Sequence, residues 1–192
     1  MNARRATLAA AAAVLGWIAL DPVASLASQD PPQATSIAGD PAGVHDFDFL
    51  FGDWRVHHRV LKADSWMEFD GTSSTRKLMD GWGNVEDNML DSPSGAYRAV
   101  GLRAYDAKTH QWAIWWVDGR NPLGTIDPPV KGGFENGVGS FYSDYVLNGK
   151  PARVRYLWSH ITPTSARWEQ AYSPDAGKTW ATNWVMEFRR AK

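Results

Sequence analysis

The chain contains no cysteine. No disulfide can brace it and no thiolate can hold a metal, so whatever it folds into rests on its own core. No long stretch carries the 3.6-residue apolar period of an amphipathic helix and no segment repeats, which sets aside helical bundles, solenoids and multi-bladed propellers. Charge of one sign is equally scarce: 20 Lys and Arg against 21 Asp and Glu leave a formal net charge of −1, scattered along the chain. Without a basic stripe, nucleic acid is not an expected partner. The 5 His residues form no cluster at zinc spacing, and neither a metal nor a cofactor is expected.

Aromatic residues are what the chain has in quantity. Ten of its 11 Trp residues lie after position 27, and each large ring can bury ~150–250 Å². A length of 192 residues makes a single domain the default. The start reads as an export signal: Arg4 and Arg5, an apolar run from Ala6 to Leu20, the breaker Asp21-Pro22, then Ala24-Ser25-Leu26-Ala27-Ser28. The run is shorter than the roughly 20 residues of a comfortable membrane span, and cleavage after Ala27 leaves small side chains where the peptidase reads them. We expect residues 1–27 to be a signal peptide for general or twin-arginine export, with no stable membrane insertion after cleavage and a periplasmic or secreted product. Residues 28–43, rich in Pro and Gly, read as a flexible leader, and 44–192 as the folded domain.

From Trp54 onward, short runs rich in Trp, Tyr, Phe, Val and Thr alternate with turn residues about every ten positions, the pattern of an all-antiparallel sandwich or barrel. Nine strands are expected: Trp54–Leu61, Trp66–Leu78, Gly83–Leu90, Ala96–Tyr105, Gln111–Asp118, Phe134–Leu147, Ala152–Ile161, Ala166–Ser173 and Thr179–Arg190. Asn148-Gly149 is the best-marked hairpin turn, because both residues tolerate positive φ. The longest irregular piece, Gly119 to Gly133, is either a lid or rim over a site or a plain crossover. Ser173-Pro174-Asp175-Ala176-Gly177-Lys178-Thr179-Trp180 matches the Ser-x-Asp-x-Gly-x-Thr-Trp pattern of an Asp-box. Its physics is structural: the Asp caps backbone amides of a tight hairpin and the Trp covers the turn.

Phe49-Leu50-Phe51-Gly52-Asp53-Trp54 opens the first strand and resembles the Gly-x-Trp signature of lipocalin-like, or calycin, barrels. That resemblance implies a Trp closing one barrel end beneath a short N-terminal turn, with a basic residue of the last strand, Arg189 or Arg190, lying across its ring. From Phe47 onward the chain is also similar to an exported bacterial family defined as a domain of unknown function. The shared pieces are Phe-Asp-Phe-Leu-Phe-Gly-Asp-Trp, Gly-Asn-Val-Glu, Trp-Trp-Val-Asp-Gly-Arg, Arg-Trp-Glu-Gln and Asn-Trp-Val-Met-Glu-Phe. This implies a fold and no activity. The expected fold is all-β: a single antiparallel lipocalin-like barrel of about nine strands.

Strand parity selects the candidate site residues. If Trp54 points inward, so does His58, although a His between Val56 and Val60 is more often a hydrogen-bonded core residue than a base. Asn84, Glu86 and Asn88 share one face. Outward they are ordinary solvated surface, the commoner case; inward they line a cavity, and Glu86 then needs a partner. Trp112, Trp115 and Trp116 place rings on both faces of one strand, as core filling or as a stacking wall. Asp118, Arg120 and Asn121 follow at the start of the long loop, placed for a pocket mouth. Arg155 and Glu169 are expected as a cross-strand pair flanking a turn at Ser165, near Trp158, and an inward Arg would bind a carboxylate or phosphate.

The candidate ligand-binding set is therefore His58, Glu86, Trp116, Asp118, Arg120, Arg155, Trp158 and Glu169; no catalytic residue is assigned. The leading reading is an exported binder of a small, partly hydrophobic molecule in a Trp-rich barrel cavity. The alternative is a cofactor-independent lyase, isomerase or hydrolase using His58 or Glu86 for proton transfer. A third is an assembly protein whose outward aromatics meet another protein. Oligomeric state is not legible.

Overall fold

Alternation of large apolar with polar side chains along each run decides the architecture. In β1 (Gly52–Lys62) Trp54, Val56 and His58 are buried while Asp53 and Arg55 are exposed, and in β2 (Ser65–Leu78) Phe69, Gly71, Ser73 and Thr75 are buried between exposed neighbours. One face of each strand looks inward for its whole length, which suits a sheet curled upon itself. The computed structural model describes residues 41–192. The signal peptide expected at 1–27 and most of the leader expected at 28–43 lie outside the described residues.

The remaining strands are β3 (Gly83–Leu90), β4 (Tyr97–Asp106), β5 (Gln111–Asp118), β6 (Val130–Glu135), β7 (Val138–Leu147), β8 (Lys150–Ser159), β9 (Ser165–Ser173) and β10 (Ala181–Arg190). Each pairs antiparallel with its sequence neighbours, and β1 pairs with β10 from Trp54↔Arg190 to Val60↔Trp184, giving a closed barrel. Closure removes the two edge strands that an open sheet would have, although the β5–β6 ladder is short.

Ten strands replace the expected nine because Phe134–Leu147 is not one strand. It turns at Asn136-Gly137, both with left-handed φ (51° and 78°), and the preceding run Val130–Glu135 is a strand of its own. Asn148-Gly149 turns the same way, with φ of 51° and 76°. β6 is hidden by its glycines, and Gly132 is obligatory: a Cβ there would stand 1.9 Å from the Ser140 carbonyl oxygen of β7.

One end is plugged. A 3₁₀ turn at Asp48–Leu50 carries Phe47 and Leu50 into the barrel, where Phe47 meets Trp112 edge-on at 5.1 Å. Trp54 donates to the Leu50 carbonyl at 2.7 Å. The Arg190 guanidinium lies 3.8 Å above the Trp54 ring and donates to the carbonyls of Phe51 and, at 2.9 Å, of Phe49. Arg190 fills the role expected of either C-terminal arginine; Arg189, one residue earlier, points outward. Pro41 to Gly43 are anchored to this end, since the Gly43 carbonyl accepts from Trp112 Nε1 at 2.8 Å.

The Asp-box forms the β9–β10 hairpin. Asp175 accepts from the Thr179 amide at 2.9 Å and its hydroxyl at 2.7 Å, and Trp180 donates to the Gly177 carbonyl at 3.1 Å. Those bonds hold the Asp175 carboxyl down at about 2.

Candidate functional site

The core fills the plugged end and leaves space toward the other. β5 and β6 are joined by only three registered pairs, from Trp112↔Gly132 to Ile114↔Val130. Beyond Ile114 the wall opens, and the loop from Gly119 to Pro129 passes over the opening. Beneath it lies a bay of about 640 Å³ lined by Trp116, Asp118 and Arg120 of the β5 end, Asp127 of the loop, and Tyr145, Tyr156, Tyr172 and Trp184 of the far wall. The long loop is thus both connection and rim.

A narrow shaft of about 30 Å³ sharing Ile114, Trp116 and Tyr156 with the bay runs down to Glu86, Arg103 and Trp158. That is room for a water or two. Its walls interlock: Tyr156 meets Trp168 at 4.9 Å, and Trp184 stands edge-on to both Trp168 and Trp116, at 5.5 and 5.7 Å.

The floor is an ion pair. Asn84, Glu86 and Asn88 face inward, against the commoner expectation, and Arg103 of β4 reaches across to bond Glu86 Oε2. Both side chains are almost fully enclosed, at 3 % and 4 % exposure. Ser73 donates to Glu86 Oε1 at 2.8 Å, and Arg103 donates to Asn84 Oδ1 at 3.0 Å. The partner that an inward Glu86 requires is therefore present. Arg103 went unnoticed in the sequence, where the inward series Ala99, Gly101, Arg103, Tyr105 was the available signal. Among the described residues, neither Nε of Arg103 nor Nε1 of Trp158 finds a hydrogen-bond partner.

His58 is buried behind the bay rather than in its lining. Its ring stacks on Phe69 at 4.8 Å and its Nδ1 accepts from Trp184 Nε1 at 3.3 Å. Burial, followed by the charge of His57, lowers its pKa to about 4, so it is a neutral acceptor. Asp118 and Arg120 lie at the mouth, the guanidinium gripping the carboxylate at 2.6 Å and stacking on Tyr97 at 3.8 Å. That bond holds the Asp118 carboxyl below its usual range. On the far wall, burial raises the hydroxyl pKa of Tyr156 and Tyr172, and the Asp127 charge adds to both shifts.

Arg155 and Glu169 do not belong to the site. The register sets Arg155 opposite Ala171 and Glu169 opposite Leu157, so they are not a pair, and both face outward. Arg155 lies over Trp180 at 4.7 Å, while Glu169 accepts from Arg167 Nε at 2.8 Å. The structure thus brings Glu86, Trp116 and Trp158 together around the shaft, adds Asp118 and Arg120 at the mouth, keeps His58 one layer back, and excludes Arg155 and Glu169. Tyr145, Tyr172, Trp184 and Asp127 are lining residues not singled out beforehand. Among the described residues no group of three His, Asp or Glu side chains gathers as a metal set.

No family model matches the chain, and no curated protein does. Among solved structures it is similar to the S-type phycobiliprotein lyase CPES from Guillardia theta, at 12 % identity and a TM-score of 0.54, over 78 % of this chain and 93 % of that one. The likeness supports a calycin-like barrel fold.

Proposed function

We propose that this chain is an exported small-molecule-binding protein that holds a flat, partly hydrophobic ligand in the bay between β5 and the β7–β8–β9 wall. The observation that carries this reading is the bay itself. Its 640 Å³ is of drug-sized capacity, and it combines aromatic rings with a few convergent polar groups at an opening in the barrel wall. The bulk of a ligand fits only the bay, since the shaft beneath admits little more than a water. The barrel neighbour's activity as a phycobiliprotein lyase keeps catalysis as the second reading, but the two groups put forward for proton transfer are poorly placed for it. His58 does not line the cavity, and both Glu86 oxygens are already engaged, by Arg103 and by Ser73.

Native mass spectrometry of the protein isolated from its own cells tests the reading: a mass excess lost on denaturation is expected, and reduced occupancy in a Trp116→Ala variant. A consistently empty protein argues against it. Export rests on Arg4-Arg5, the apolar run and the Ala27 cleavage site. N-terminal sequencing of protein from the periplasm or medium is expected to begin at Ser28.

A further inference from the structure

The charges around the cavity specify the kind of ligand it takes. Two guanidinium groups line it, and both are already neutralised: Arg103 by Glu86 at the floor, Arg120 by Asp118 at the mouth. Arg120 is committed further, since its plane lies 3.8 Å over Tyr97. An incoming carboxylate or phosphate would find no free cation and would have to break one of these pairs, stranding the displaced acid. The one remaining charged group of the lining is Asp127, on the rim loop. Among the described residues no ion pair engages it, and its charge adds, after burial, to the raised hydroxyl pKa of Tyr156 and Tyr172.

The bay that Asp127 borders, from an exposed position on the rim loop, is also lined by aromatic rings. Tyr145 and Tyr172 lie 5.1 Å apart, with Tyr156, Trp116 and Trp184 completing the aromatic wall. A cation over such faces is attracted by their quadrupoles, most strongly where water is excluded, and Asp127 supplies the counter-charge. We infer that the ligand is a planar organic cation, a protonated or quaternary aromatic amine, seated between these rings and Asp127. This deepens the small-molecule reading and rests on it.

The test uses three probes sharing one ring system: N-methylacridinium, neutral acridine and acridine-9-carboxylate. Their affinities for the full-length exported protein are measured at neutral pH by equilibrium dialysis and by quenching of tryptophan fluorescence. The cation is expected to bind about tenfold or more tighter than the carboxylate. An Asp127→Asn variant is expected to lose about fivefold or more in cation affinity, with a smaller change for neutral acridine. The near-ultraviolet circular dichroism of the tryptophan cluster verifies that this variant keeps its fold. Equal or tighter binding of the carboxylate overturns the cation assignment and leaves the small-molecule reading standing, because the ring is still bound. Unchanged cation affinity in the variant also overturns the assignment, since Asp127 is its counter-charge. Binding of none of the three overturns both.

Discussion

The His58 ring, pressed between Phe69 and Trp184, has no room for a charge. Its pKa falls from the ordinary 6.5 to about 4. Between those values the unfolded chain binds a proton that the folded chain refuses, so stability rises with pH across that window. The contribution of His58 is fully present above about pH 6.5 and is lost as pH falls toward 4, a swing of about 3 kcal/mol. A His58→Gln variant is expected to show a shallower fall in urea midpoint over the same range. His57, next along the strand, titrates the other way, raised chiefly by its bond to Asp70, but it is exposed and contributes little. The Glu86–Arg103 pair allows a second prediction. Replacing either residue alone with Leu strands a buried charge and costs about 3–5 kcal/mol, whereas the double replacement costs much less than the sum. Equilibrium urea unfolding of the three variants measures this. Parity made Glu86 and Asn84 legible as one face, but which way that face turned depended on Arg103, a residue on a neighbouring strand that no local pattern connects to them.

At the scale of the element, the plug and the hairpins were the most readable parts. Trp54 under a C-terminal arginine is what the resemblance of Gly52-Asp53-Trp54 to the calycin signature implies, with Arg190 rather than Arg189 in the role, and the Asp-box follows from its own side chains. Arg190→Lys keeps the charge but loses the planar stack and the fork to Phe49 and Phe51. It is expected to cost about 1–2 kcal/mol in urea unfolding, while Arg189→Lys is nearly silent. β6 was not readable because Gly132 and Gly133 are poor strand formers, and their presence reflects the close approach of β7 rather than any local preference. A Gly132→Ala substitution is expected to force β6 from β7, seen as faster amide exchange along both strands before the rest of the barrel is affected. Arg155 and Glu169 show the opposite limit. Each was correctly placed on a strand, but their pairing depended on register, and a turn tip misplaced within His160–Ser165 misaligns every partner across it.

For the molecule as a whole, the barrel was legible from alternation and turn spacing, but the cavity was not. A void is a statement about what all ten strands fail to fill, and it arises here because the short β5–β6 ladder lets the wall part above Ile114. Two of the outward rings carry a guanidinium: Trp66 lies under Arg59 at 5.0 Å and Trp180 under Arg155 at 4.7 Å. The seam between β1 and β10 carries one more implication, and it concerns time. The first strand's second partner is β10, more than 120 residues further along the chain, so the tube cannot shut until synthesis has passed Arg190. Until then the indole at 54 has no lid. Its burial should therefore report the slowest phase of refolding in a stopped-flow experiment, and a chain cut short before Ala181 should stay open however well its middle strands have paired.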